Sequence, residues 1–121
     1  MELSNPLSIF QLDKLRPLPL VVDFTHVDLP GPLLIGEVPA GHIVKNTVVW
    51  IREAFDGGLE ITVGDLLAQA RLQTTADNQA EYVDHFNVNN VHEYETNTDV
   101  YVFFPTGTPT TGRGRVIVFL D

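Results

Sequence analysis

The chain has 121 residues and no cysteine, with an apolar fraction of 44%, a charged fraction of 19% and a formal net charge of -9. At this size folding buries roughly 65% of the surface that the unfolded chain exposes, enough for the core of one domain. The composition excludes a disulfide framework, a thiolate metal site and global disorder, and sixteen acidic side chains against seven basic ones exclude nucleic acid as an expected partner.

The N-terminal residues MELSNPLSIF carry neither a basic stretch nor a long apolar run, so they do not read as a signal peptide. No segment approaches the ~18 apolar residues of a membrane helix, and no membrane partner is expected. Residues 1–19 differ from the rest. Pro6, Pro17 and Pro19 favour an extended arm, with one or two helical turns allowed after Ser8. Ile9, Phe10, Leu12 and Leu15 are too few to enclose a core. Their apolar surface calls for cover from the chain's own sheet or from a neighbouring molecule.

Residues 20–121 read as short strands separated by turns. Leu20–Val27 alternates loosely and ends at the breaker cluster Asp28–Pro32. Leu33–Val38 is a short strand, and Pro39-Ala40-Gly41 turns into a long strand over Ile43–Phe55. Asp56-Gly57-Gly58 offers the left-handed conformations of a tight hairpin, which predicts that Leu59–Val63 pairs back onto the long strand. Leu66–Gln73 suits one short helix or a strand of small residues. Tyr82–Val91 is a weak strand pattern, whereas Val100–Phe104 and Arg115–Leu120 are strong ones. Seven or eight strands, without helices long enough to alternate with them, predict an all-β antiparallel sandwich or jelly-roll-like domain behind the N-terminal arm. On the long strand neither Ile43, Lys45, Thr47, Val49, Ile51, Glu53, Phe55 nor the alternate set is cleanly apolar. Burial on both faces, a bulge near the middle, or a second subunit would each produce that pattern.

Pro-x-Gly-His at Pro39–His42 suggests a metal site of the cupin kind, but the spacing fails. A cupin motif of that type would have histidine and asparagine where this chain has Val44 and Val48, and glycine where it has Leu33. His26, His85 and His92 have no histidine at i+2 or i+4, and no catalytic, cofactor or metal residue is assigned. The serines are confined to the arm, at Ser4 and Ser8, and no nucleophile elbow is present. The glycine-rich stretch Gly107–Gly114 lacks the lysine of a phosphate loop and leads into a strand. Arg113 and Arg115 project to one side of that strand, where they blunt a sheet edge or pair with acids of another molecule. With Trp50 they are the candidate subunit contacts.

Four segments carry a resemblance. They are PAG at Pro39–Gly41, AFDGG at Ala54–Gly58, ITVGD at Ile61–Asp65 and TTGRGRVIVFL at Thr110–Leu120. In these the chain resembles small phage head decoration, or capsid cement, proteins over about two thirds of its length. It departs from them in its proline-bearing arm and its weak Tyr82–Val91 strand. The resemblance implies a β-sandwich, often trimeric, that sits on the assembled shell, clamps neighbouring capsomers and catalyses nothing. It implies the major capsid protein as partner, the virion surface as location and synthesis in the host cytoplasm. The arm, through Ile9, Phe10, Leu12 and Leu15, is the expected contact. Two other classes remain open at this point. One is a tail or fibre module that binds host carbohydrate through Tyr82, Tyr94 or Tyr101. The other is a cupin-like small-molecule enzyme.

Overall fold

A computed structural model describes residues 18–121 of the chain, so the arm residues Ile9, Phe10, Leu12 and Leu15 lie outside the described residues. Among the described residues eight strands follow one another: β1 (Leu20–Thr25), β2 (Leu33–Val38), β3 (Ile43–Glu53), β4 (Thr62–Gly64), β5 (Asp84–Val88), β6 (His92–Glu93), β7 (Thr98–Phe103) and β8 (Arg113–Leu120). They form two antiparallel sheets. The larger has the order β1-β8-β3-β5, with β6 also on β3, and the smaller has the order β2-β7-β4. Face to face they make a β-sandwich, as the strand count and patterning predict.

Alternation explains which face of each strand is inside. On β8 every second residue is buried, namely Gly114, Val116, Val118 and Leu120, while Arg113, Arg115, Ile117 and Phe119 point outward. The register carries this across the larger sheet, because Val116 pairs with both Val22 and Val49, and Val118 with both Leu20 and Thr47. Val100 and Val102 of β7, Ile35 and Val38 of β2 and Val63 of β4 close the core from the smaller sheet. At one end Phe24 stacks on Phe55 with ring centroids 5.5 Å apart and meets Phe104 at 5.4 Å.

The long strand β3 is buried on one face only. Val44, Thr47, Val49 and Ile51 point in, while Asn46, Val48 and Trp50 are half-buried on the outside. Its register shifts at two places, between Val44 and Asn46 and between Ile51 and Glu53. Irregularities near the two ends, rather than one in the middle, blur its period in the sequence.

The Asp56-Gly57-Gly58 turn is not a hairpin. β3 and β4 belong to different sheets, and the residues between them carry the chain across the sandwich. The left-handed glycines are as expected, with φ +73° at Gly57 and +69° at Gly58. What they serve is a loop clamp. The Asp56 carboxylate accepts hydrogen bonds from the Thr110 N–H (2.6 Å), the Thr110 hydroxyl (2.6 Å) and the Thr111 N–H (3.1 Å). The hydroxyl and N–H of Thr110 and the N–H of Thr111 hold its pKa down at about 2. The neighbouring Gly112 sits at φ +128°, and a Cβ there would lie 2.2 Å from the Phe55 ring. Gly112→Ala is therefore expected to cost about 1–3 kcal/mol through overpacking and backbone strain together, measured by urea denaturation.

Leu66–Gln73 forms neither helix nor strand, apart from one bridge from Gln73 to Val63. Asp65 takes the local helix-forming tendency away. Its buried carboxylate accepts from the N–H groups of Leu67 (3.0 Å) and Ala68 (2.9 Å), which curls the chain into a tight turn. It also accepts from Arg71 Nε (2.7 Å) and from the Tyr94 hydroxyl (2.7 Å). The turn then lies back on β4 at Gly64, where a Cβ would come within 2.2 Å of the Ala68 carbonyl oxygen.

Candidate interaction surface

The outward side chains of the larger sheet form rows, because antiparallel partners place their side chains on the same face. One row runs Asp23, Arg115, Trp50, His85 across β1, β8, β3 and β5. The next runs Val21, Ile117, Val48, Asn87. Beside it Phe119 pairs with Asn46, and Asn46 donates to the Asn87 side chain at 2.8 Å. On the other side Arg113 stands opposite Thr25 and Glu53. An aromatic and aliphatic centre is thus bordered by arginine and amide groups.

Trp50 is held by its neighbours. The His85 ring stacks on it at 4.6 Å with a 19° tilt. The Arg52 guanidinium lies 4.7 Å from its centroid and that of Arg115 lies 5.7 Å away. Each such cation–π contact contributes about 0.5–1 kcal/mol at an exposed site. Arg115 also forms a two-pronged ion pair with Asp23, at 2.5 and 3.1 Å. That hydrogen-bonded pairing is the main reason the Asp23 carboxyl sits below the usual carboxylate range, with Arg52 and Arg113 adding their charge. Side chains already in contact with one another lose less freedom when such a face is covered. Tryptophan and arginine are also the residue types that concentrate binding energy in protein interfaces.

Trp50, Arg113 and Arg115 therefore share one face, although β8 lies inside the sheet between β1 and β3. Blunting an edge strand is accordingly not the role of the two arginines. Val21, Val48, His85, Asp23 and Arg52 complete the surface and were not singled out by sequence pattern. The signal for them lay in the mixed outer positions of β3 and in the alternation of β8, but their meeting depends on the register.

Of the three tyrosines, Tyr82 alone is exposed. Tyr94 is 5% exposed, and burial together with its hydrogen bond to Asp65 pushes its pKa upward. Tyr101 is half-buried on the outside of β7, and Tyr82 is exposed in the loop before β5. His42 lies in the turn between β2 and β3, with its N–H donating to the Pro39 carbonyl at 3.1 Å. Among the described residues no three histidine or acidic side chains converge as metal ligands.

The smaller sheet presents a different face. Leu34 stands opposite Tyr101, and Glu37 stands opposite Asp99. Leu34 is 53% exposed, and both acids are exposed. Like charges directly opposite on neighbouring strands repel each other, so this pair carries a local cost.

No protein-family model matches the chain, and no curated protein matches it. Among solved structures the fold is similar to that of a chain in the "Acidic stable capsid structure of Helicobacter pylori bacteriophage KHP30". The TM-score is 0.69 at 11% sequence identity, over 87% of this chain and 88% of that one. The likeness covers nearly all of both chains, so the whole sandwich is shared and not a fragment of it.

Proposed function

We propose that this chain is a structural protein of a phage virion that binds the outside of the capsid and stabilises it, as a decoration or cement protein. The observation that carries the reading is the near end-to-end fold likeness to a chain in a phage capsid structure. The decoration-protein resemblance of the turn and strand segments points the same way. So does an outer face of tryptophan, arginine and aliphatic side chains, whose chemistry is that of a protein contact and not of a reaction. In this reading the chain is not an enzyme. It forms homo-oligomers in which Trp50, Arg113 and Arg115 touch a neighbouring subunit.

The arm residues Ile9, Phe10, Leu12 and Leu15 lie on the major capsid protein or on the adjacent copy. Burying each of them contributes roughly 1.5–3 kcal/mol. Several arms acting together convert that modest sum into durable attachment. The test is co-sedimentation with capsids of the same phage assembled without this chain. The full chain pellets with them. The chain lacking Met1–Arg16 stays in the supernatant and retains a cooperative melt. Pelleting of the truncated chain at full occupancy removes the arm from the mechanism, and failure of the full chain to pellet removes the capsid reading itself.

A further inference from the structure

The two outer faces of the sandwich are complementary in charge, and each carries apolar side chains that are exposed or half-buried. Around Trp50 the larger sheet carries the guanidinium groups of Arg52, Arg113 and Arg115 against the carboxylates of Asp23 and Glu53. That is a local excess of positive charge on a chain whose net charge is -9. Arg71, elsewhere, is committed to Asp65. The smaller sheet carries Glu37 and Asp99 side by side, with no cation bonded to either among the described residues, next to exposed Leu34 and half-buried Tyr101. A cross-strand pair of like charges lowers its cost when a cation sits between them.

We infer that copies of this chain associate head to tail, the Trp50, Arg52, Arg113 face of one copy seating on the Leu34, Glu37, Asp99, Tyr101 face of the next. The inference deepens the proposed role of Trp50 and the arginines as subunit contacts by naming what they touch. An isologous contact between two larger sheets is disfavoured, because it sets one face with an excess of guanidinium groups against an identical face. The head-to-tail arrangement places guanidinium groups on the Glu37 and Asp99 carboxylates and packs Leu34 and Tyr101 on Trp50, Val48 and Ile117. Arginine forks suit carboxylates in such a contact, and the aliphatic centre excludes water from it.

The test is sedimentation of the isolated full chain in the absence of capsids. One variant carries Arg52→Glu and Arg113→Glu, which leaves the Arg115–Asp23 pair in place. A second carries Glu37→Arg and Asp99→Arg. The wild-type chain is expected to sediment as an oligomer. Each variant alone has two faces of one sign, and its association weakens on the order of a hundredfold or more. Mixing the two variants restores assembly, because every contact is then between opposite charges. Thermal melts within a few degrees of wild type show that folding is intact. If a reversed variant does not melt cooperatively, Arg113→Gln and Asp99→Asn carry the same test with a smaller loss. A wild-type chain that is monomeric at all concentrations overturns the inference. So does undiminished association of both variants, or a mixture that stays monomeric. Capsid binding is not read in this experiment, so its outcome leaves the capsid reading to the co-sedimentation test.

Discussion

Replacing Asp65 by alanine is expected to lower stability by about 2–4 kcal/mol, through buried donors left without their acceptor at about 1–3 kcal/mol each, while Arg71, 30% exposed, can turn to water. Asp65 is 3% exposed, and it ties three parts of the chain together. Its oxygens hold the Leu67 and Ala68 N–H groups of its own turn, the Arg71 side chain at the end of that turn, and the Tyr94 hydroxyl from the segment after β6. Alanine leaves the tyrosine hydroxyl buried without an acceptor, and it releases the turn from β4. Denaturant unfolding monitored by tryptophan fluorescence measures the loss. Asparagine is the sharper probe of charge, because it keeps the shape and one acceptor. The pH dependence separates the two contributions. Burial pushes the Asp65 carboxyl upward, but the bonds from Arg71, Tyr94 and Ala68 outweigh it, and the pKa in the folded chain lies below its ordinary value. A carboxyl depressed by folding contributes stability that is complete above its unfolded pKa of about 3.9. That contribution is lost as pH falls through the folded value. Wild type therefore loses stability more steeply than Asp65→Asn below about pH 4, and the two curves run parallel above it.

The strands were legible where one side of the strand faces water and the other a core. Arg113–Leu120 alternates and its position follows from that, whereas Leu33–Val38, with a register shift between Leu34 and Gly36, was legible from its apolar residues and the turns on either side. The sandwich class follows from the number of such segments and the turns between them. Two other stretches misled for local reasons. Asp56-Gly57-Gly58 has the residues of a tight turn, but a left-handed glycine states only a backbone conformation. Whether the chain returns beside its own strand or crosses to the other sheet is decided by Asp56 binding Thr110 and Thr111, more than fifty residues on. Leu66–Gln73 has helical propensity, which Asp65 overrides by capturing the N–H groups of Leu67 and Ala68. The outer face proposed as an interaction surface was half legible. Trp50, Arg113 and Arg115 were visible as residue types out of place on strands, yet their meeting needs the pairing of β3 with β8. His85 and Asp23 gave no signal of their own. The Glu37–Asp99 pair exists only through the register of β2 on β7, which no pattern within either strand encodes.

Gln73 is the other position where a large loss is expected. Its side chain is fully buried, in a sandwich whose interior is otherwise mostly aliphatic and aromatic. Its backbone is bonded to Val63 in both directions, N–H to carbonyl at 3.1 Å and carbonyl to N–H at 3.0 Å, which places it beside the smaller sheet. Its side-chain amide reaches the larger sheet, donating to the Thr47 carbonyl on β3 and the Phe86 carbonyl on β5, each at 3.1 Å. Its carbonyl oxygen accepts from Asn78 at 2.8 Å, and Asn78 in turn donates to the Ile61 carbonyl at 3.1 Å. One side chain therefore links the two sheets and the 72–79 segment through polar bonds in a dry interior, where each is stronger than in water. Gln73→Leu keeps much of the volume and removes every polar partner. Asn78 loses its shortest acceptor and keeps only the Ile61 carbonyl at 3.1 Å and a long contact to the Thr74 carbonyl at 3.4 Å, and two strand carbonyls lose a donor. At about 1–3 kcal/mol for each buried group left unsatisfied, the expected loss is roughly 3–4 kcal/mol. A hydrophobic account of the same site predicts the opposite sign, since leucine adds apolar surface to the core. Urea denaturation of the single variants and of Gln73→Leu with Asn78→Leu decides between them. The polar account requires the double variant to lose less than the sum of the two single losses, because the Gln73–Asn78 bond is removed only once. Strict additivity of the two losses would show that Gln73 and Asn78 do not act as one unit.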